Sequence, residues 1–251
     1  MDRGDLASLA GFFANGERLA RGGVARLGDD AAHHMRVRRL SVGDRVYLAD
    51  GAGLQATGSI VRLGKKDADV LVDDVIESAP APAVHLIIPI ADRDRMLWCA
   101  EKCTELGATS WRPVVFTRSR NVSPRGEGEQ FRRRVRGRMT SALIQSHGPW
   151  LPDVVADASL VDTTAALPPA GTRLALDVSG TPISLERLVQ PVTIAVGPEG
   201  GMEETERQLL RAANFRPVSL GANVLRFETA AVAALAIVRA ALTASPETVR
   251  G

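Results

Sequence analysis

The chain has 251 residues, 24% of them charged and 45% apolar, with 31 basic side chains against 29 acidic ones. That balance excludes a disordered chain and leaves enough residues for one large domain or two small ones. No charge-free apolar run reaches membrane-spanning length and residues 1–20 carry no apolar core of a signal peptide, so a cytoplasmic protein that avoids membranes is expected.

In chain order, residues 29–40 read as a short helix opened by a capping Asp and carrying Arg36, Arg38 and Arg39. Strands follow at 45–49, 55–63 and 68–75, separated by the turn Asp50-Gly51-Ala52-Gly53 and the polar Lys65-Lys66-Asp67. Short strands joined by turns imply a small β-barrel or sandwich over residues 1–78. The Pro/Ala stretch at 79–83 then reads as a linker.

Beyond it the pattern changes. Strands are expected at 84–90, 113–116, 173–178, 192–196 and 218–220. Helices are expected at 95–106, 129–145, 184–189, 203–213 and 229–244. Uncharged strands alternating with helices imply an α/β domain over 84–251, with a parallel sheet buried on both faces.

Cys99 and Cys103 stand four residues apart on one predicted helix face and read as small core residues. The four histidines show no spacing that completes a tetrahedral site, so no metal is expected. Only three of the basic residues are lysine, and nine arginines lie between 112 and 138. That run is either a solvated helix face or a phosphate-binding patch, since guanidinium forks grip phosphate oxygens in pairs.

Parallel sheets place ligands at the carboxyl ends of their strands, and two glycine-containing loops fall there. The first is Gly197-Pro198-Glu199-Gly200-Gly201, either a plain strand-to-helix turn or a loop that lets a ligand approach the backbone. No Gly-Lys-Ser/Thr follows it and it contains no G-x-G-x-x-G, so it is neither a phosphate loop nor a dinucleotide fingerprint. The second runs from Leu220 through Gly221, Ala222, Asn223, Val224, Leu225 and Arg226 to the last helix, where Glu228 or Thr229 can cap. An arginine on such a loop points to function, because site residues concentrate there.

These two loops, in this order and one helix apart, resemble the paired signature of the SPOUT methyltransferases, and specifically of the RsmE-type 16S ribosomal RNA (uridine-N3) methyltransferases. Further matching stretches are His33-His34-Met35-Arg36-Val37-Arg38 with Gly43-Asp44, then Glu101-Lys102 through Gly107, Arg118-Ser119, and Gln145-Ser146. The resemblance implies a PUA-like β-barrel followed by an α/β domain tied in a trefoil knot, S-adenosylmethionine held by the knot loops, and a homodimer. By resemblance the cofactor loops are Leu176, Asp177 and Val178; then Val196, Gly197, Pro198, Glu199, Gly200 and Gly201; then Leu220, Gly221, Val224 and Leu225.

The implied reaction moves a methyl group to N3 of a uridine in 16S ribosomal RNA of the small ribosomal subunit, with a silent RNA-binding assembly factor or a SPOUT enzyme for another nucleotide as the rivals. Arg226 is expected to stabilise charge on the uracil ring, and Glu199 or Glu228 to accept the proton or orient that arginine. Arg36, Arg38, Arg39, Arg118, Arg132, Arg133, Arg136 and Gln145 are the expected RNA-binding residues. The chain departs from the family's pattern at Phe227, where a small residue is usual, at Asp92, where Lys is common, and at His147-Gly148.

Overall fold

The computed structural model describes residues 8–119, 125–185 and 187–244. The chain divides into two packed units, one of residues 1–80 with 140–151 and one of 81–139 with 152–251.

The first unit contains β1 (Ala10–Phe13), β2 (Val24–Leu27), α1 (Asp29–Val37), β3 (Arg45–Ala49), β4 (Leu54–Leu63) and β5 (Ala68–Glu77). They form one sheet in the order β1-β3-β4-β5-β2, antiparallel except where β1 runs beside β3. Phe12, Met35, Val46, Leu48, Ile60 and Val70 fill its core. β1 and β2 are absent from the sequence reading because four residues are too few to show an alternation. α1 ends at Val37, and Arg39 sits in the left-handed region with φ of 58°.

Residues 140–151 extend this unit beyond the sequence-predicted limit of 78. Their attachment is specific: Gln55 is buried and its Nε2 donates to Tyr47 Oη (2.6 Å) and to the His147 carbonyl (2.9 Å). Ile144 packs against Tyr47 and Ala49, and Trp150 Nε1 donates to the Ser78 carbonyl (3.0 Å). The apolar end of a basic helix thus finds its partners far back in the chain, which no local pattern announces.

The second unit begins with β6 (Val84–Pro89), α2 (Arg93–Glu105) and β7 (Ser110–Val115), and continues into α3 (Gly128–Gln145), whose last turn and a half belongs to the first unit. Then come β8 (Asp153–Val154), β9 (Ala158–Ser159), α4 (Leu160–Ala165), β10 (Thr172–Pro182), β11 (Val192–Ala195), α5 (Glu204–Ala212), β12 (Arg216–Ser219) and α6 (Phe227–Ala244). The sheet order is β12-β10-β11-β6-β7-β8, with β9 also on β7, and every pairing is parallel. β11 is buried along its whole length, as a strand covered on both faces must be. α6 packs on β6 and α2, while Leu210 of α5, Phe215 and Leu160 of α4 join Ile87, Val114 and Ala195 in one core. Cys99 and Cys103 are both buried on α2, as expected of small core residues.

Most element boundaries shift by a few residues from those expected, β7 starting at Ser110 and β10 running on to Pro182, and three of the differences have a clear physical cause. α2 starts at Arg93, because Asp92 Oδ1 accepts from the amides of Asp94 and Arg95 (3.1 Å each). The predicted helix at 184–189 is only the short turn Ile183–Leu185, with Glu186 outside the described residues; Val189 instead exchanges hydrogen bonds with Thr172 at the start of β10. α6 starts at Phe227, with Ala230 N bonded to the Arg226 carbonyl (2.9 Å), so Glu228 lies in its first turn rather than capping it. Among the described residues no helix is long and apolar enough to cross a membrane. The predicted domain's last residues, 245–251, and Arg120 of the basic run lie outside the described residues.

Replacing Gln55 with Leu strands the buried Tyr47 hydroxyl and the His147 carbonyl without their donor. Denaturant unfolding should show a loss of about 1–3 kcal/mol, the scale for leaving buried polar groups unpaired. An unchanged unfolding midpoint would mean that the Gln55 hydrogen bonds contribute nothing to holding residues 140–151.

Candidate active site

The site begins with a break in strand pairing. Leu176 and Thr181 of β10 both pair with Val218 of β12, so residues 177–180 loop out of the ladder and the strand then rejoins where it left. Gly180 closes the loop: a Cβ there would come within 2.5 Å of the Pro217 carbonyl carbon, so the backbones can approach this closely only without a side chain. The excursion holds Leu176, Asp177 and Val178 at the carboxyl end of the sheet, where they border a cavity of about 230 Å3.

Two further loops complete the wall. After β11 the chain turns tightly, with Gly201 N donating to the Pro198 carbonyl (2.8 Å) and Gly201 at φ of 74°. Val196, Gly197, Pro198, Glu199 and Gly201 of this segment face the cavity, joined by Met202. After β12, Leu220, Gly221, Val224 and Leu225 close the other side, with Ser219, Asn223 and the buried Phe227. Phe227, the bulky residue at a usually small position, therefore serves as part of the cavity floor and of the core beneath it.

Gly200 is the exception among the expected cofactor residues. It does not border the cavity; its α-carbon faces Arg118, whose Cδ would lie 3.2 Å from an added Cβ. A side chain at Gly200 would displace that arginine, not a ligand. Arg118 itself donates to the Gly200 carbonyl and lies 3.9 Å from the Glu203 carboxylate. The buried Glu206 reinforces the junction, accepting from the amides of Thr117 (2.7 Å) and Glu203 (2.8 Å). The loop after β7 is thus fastened to the glycine loop after β11.

The charged groups of the wall are few. Asp177 Oδ1 accepts from the amide (2.9 Å) and hydroxyl (2.7 Å) of Ser179, and Oδ2 pairs with Arg207 Nε at 3.0 Å. Burial works to raise the Asp177 pKa, but the Ser179 bonds and the Arg207 guanidinium outweigh it and hold the carboxyl below its ordinary value. Glu199 forms an ion pair with Arg95 of α2. Arg226 is exposed, adjoins the cavity residue Leu225, and has no side-chain partner among the described residues. Glu228 does not border the cavity; it is 8% exposed, and its Oε2 is buried without a hydrogen-bond partner among the described residues. Of the two carboxylates the sequence left open, only Glu199 stands at the cavity.

The expected RNA-binding residues fall into engaged and free groups. Arg36 donates to the Gly64 carbonyl (2.6 Å) and Arg132 pairs with Glu129. Arg136 has a partner as well, whereas Arg133, Arg38 and Arg39 are exposed and carry no ion pair among the described residues. Gln145 is exposed in the first unit. The sequence reading missed Met202, Ser219, Asn223, Phe227 and above all Arg207 as cavity residues. Arg207 lies on the helix after the glycine loop, and the only available signal was a cation one turn into a helix that starts at a ligand-binding junction.

Comparison with known proteins agrees with this geometry. Residues 77–239 match the model of an RNA methyltransferase domain and residues 27–73 that of an RNA methyltransferase PUA domain. The chain is 33% identical over 217 residues to the ribosomal RNA small subunit methyltransferase E of Synechocystis sp., covering 82% of this chain and 69% of that one. It is 28% identical over 236 residues to the enzyme of the same name from Rickettsia conorii, covering 88% and 92%. The crystal structure of ribosomal RNA small subunit methyltransferase E from Neisseria gonorrhoeae bound to S-adenosyl methionine superposes with a TM-score of 0.85 at 27% identity, covering 93% of this chain and 98% of that one.

Gly180→Ala tests the excursion. A methyl group there must push β12 away from β10, a strain costing about 1–3 kcal/mol. Thermal unfolding should show the loss, and calorimetric titration with S-adenosylmethionine should show weaker binding in the folded variant. Wild-type affinity would mean that the cavity does not depend on this loop.

Proposed function

Because the chain belongs to the RNA methyltransferase family, and within it to the ribosomal RNA small subunit methyltransferases E, we propose that it transfers the methyl group of S-adenosylmethionine to N3 of a uridine in 16S ribosomal RNA. The single observation that carries the proposal is the cavity itself. Three loops from the carboxyl ends of β10, β11 and β12 converge on one apolar space, and an unpaired guanidinium, Arg226, stands beside it.

The residues present fit the cofactor. Leu176, Val178, Val196, Val218 and Leu220 offer apolar surface for an adenosine, and Gly197, Gly201 and Gly221 keep side chains off the loops around it. When bound, S-adenosylmethionine supplies an already activated methyl group. What remains for the protein is to align the acceptor and favour loss of its proton. Uridine N3–H is a weak acid, and the anion spreads its charge onto O2 and O4. Arg226, free of any competing carboxylate among the described residues, stabilises that charge with its planar fork. Glu199 borders the same cavity and is the carboxylate positioned to receive the proton. N3 is engaged in base pairing within a duplex, so the target base is single-stranded or flipped out.

The reading extends to a trefoil knot, a homodimer and cytoplasmic action on the small ribosomal subunit. Family membership supports all of these. The chain leaves the edge strand β12 through the loop at 220–226 and returns to lay α6 against α2 and β6. RNA mass spectrometry of a strain lacking the protein, with methylation assays on naked RNA and on purified small subunits, tests the substrate. A different modified nucleotide, or none, would favour the other SPOUT reading or the silent assembly factor.

Arg226→Ala should cut single-turnover rates by roughly a hundredfold or more while cofactor affinity stays put. Raising the pH should restore part of the lost rate, because more uridine ionises without help. Near-normal turnover in the variant would remove Arg226 from the mechanism.

The exposed face of α3 generates a separate prediction. Replacing Arg133 and Arg134 with Ser should lower RNA affinity and reduce the salt slope of binding by roughly one unit for each phosphate no longer neutralised. An unchanged slope would return this face to the role of a solvated surface.

A further inference from the structure

The Asp177–Arg207 pair is unusual among the ion pairs of the described residues in that both partners face the cavity. The pair is also asymmetric. Asp177, 12% exposed, spends its oxygens on the Ser179 amide, the Ser179 hydroxyl and Arg207 Nε, so little acceptor capacity remains for a ligand. Arg207, 34% exposed, is held only through Nε, and no described residue accepts a hydrogen bond from its Nη1 or Nη2. The carboxylate thus behaves as a mount, and the guanidinium as the group it presents, with its paired outer donors unused.

The rest of the wall says what those donors await. Apart from Asp177, Glu199 and Arg207 the lining is uncharged, so among the described residues Arg207 is its one cationic side chain. A guanidinium repels a sulfonium, and to an adenine ring it offers stacking or single hydrogen bonds that leave its paired donors unmatched. It does match a carboxylate, which it can receive in a paired geometry. The proposed cofactor carries one carboxylate, on its methionyl end.

We propose that Arg207 is the anchor for the methionyl carboxylate of S-adenosylmethionine, with Asp177 as the positioning residue that sets its orientation; the proposal rests on the cofactor reading above. Arg207 then does more than add affinity. It distinguishes the cofactor from adenosine derivatives that lack the amino-acid tail, because an apolar pocket alone discriminates such ligands weakly.

The test is calorimetric and independent of turnover. S-adenosylhomocysteine carries the carboxylate, whereas 5′-methylthioadenosine keeps the adenosine and the sulfur but lacks the amino-acid end. Both are titrated into wild type, Arg207→Gln and Arg207→Lys. Arg207→Gln should weaken S-adenosylhomocysteine about ten- to a hundredfold, the scale of a lost charged hydrogen bond, and leave 5′-methylthioadenosine unchanged. Arg207→Lys should fall between the two, since it keeps the charge without the fork. Retained methylthioadenosine binding shows that the variant's pocket is intact. Parallel losses for both ligands would overturn the proposal and make Arg207 a packing residue of the wall, and so would an unchanged affinity for S-adenosylhomocysteine. A variant that loses RNA affinity alone would reassign Arg207 to the substrate and overturn it too. If wild type binds neither ligand, the cofactor reading itself fails, which is a different outcome from failure of the variant.

Discussion

Everything at the site depends on two residues of β10 pairing with the same residue of β12. Leu176 and Thr181 both meet Val218, and the four residues between them must leave the sheet. A regular parallel ladder would keep Asp177 and Val178 within the sheet, alternating between its faces, and the end of the sheet would carry two loops rather than three. The excursion is possible because Gly180 has no side chain to collide with the β12 backbone. It persists because Ser179 turns back to cap Asp177 and Arg207 holds that carboxylate from the neighbouring helix.

The other two loops are fixed by different means. The glycine loop after β11 is tied from outside, with Arg95 on Glu199, Arg118 on the Gly200 carbonyl, and the buried Glu206 bridging the amides of Thr117 and Glu203. The loop after β12 is bounded by the start of α6, whose first-turn residues Phe227 and Glu228 are buried. Arg226 lies one residue before that buried turn. The anchored helix start sets where the arginine emerges, while its guanidinium stays free.

The arginines divide along the same line. Arg95, Arg118, Arg132 and Arg138 spend their charge on carboxylates or carbonyls of the protein and act as fasteners. Arg38, Arg39, Arg133, Arg134 and Arg226 carry no ion pair among the described residues. For the exposed ones a salt-dependent attraction to phosphate is the natural use, since a surface ion pair would contribute little to stability. Arg207 belongs to both groups, engaged through one nitrogen and open at two.

The two-part architecture, the parallel sheet and the loops of the site were legible in the amino-acid order. Those follow from local chemistry: uncharged strands buried on both faces, the Pro/Ala linker, and glycines at strand-to-helix junctions. It also singled out Arg226, Glu199 and the residues of all three loops, through a resemblance carried by contiguous motifs. That residues 140–151 pack with the first unit came from the fold, because Gln55 and Tyr47 meet His147 across ninety or more positions of the chain. Only it separated Gly200, which faces Arg118, from its neighbours that face the cavity, and set Glu228 apart from Glu199. Arg207 was invisible for the same physical reason: its role comes from a carboxylate thirty residues earlier that a break in strand register pushes into reach. Local pattern reports which face of an element is apolar, but which two side chains meet across a sheet is settled by register and packing.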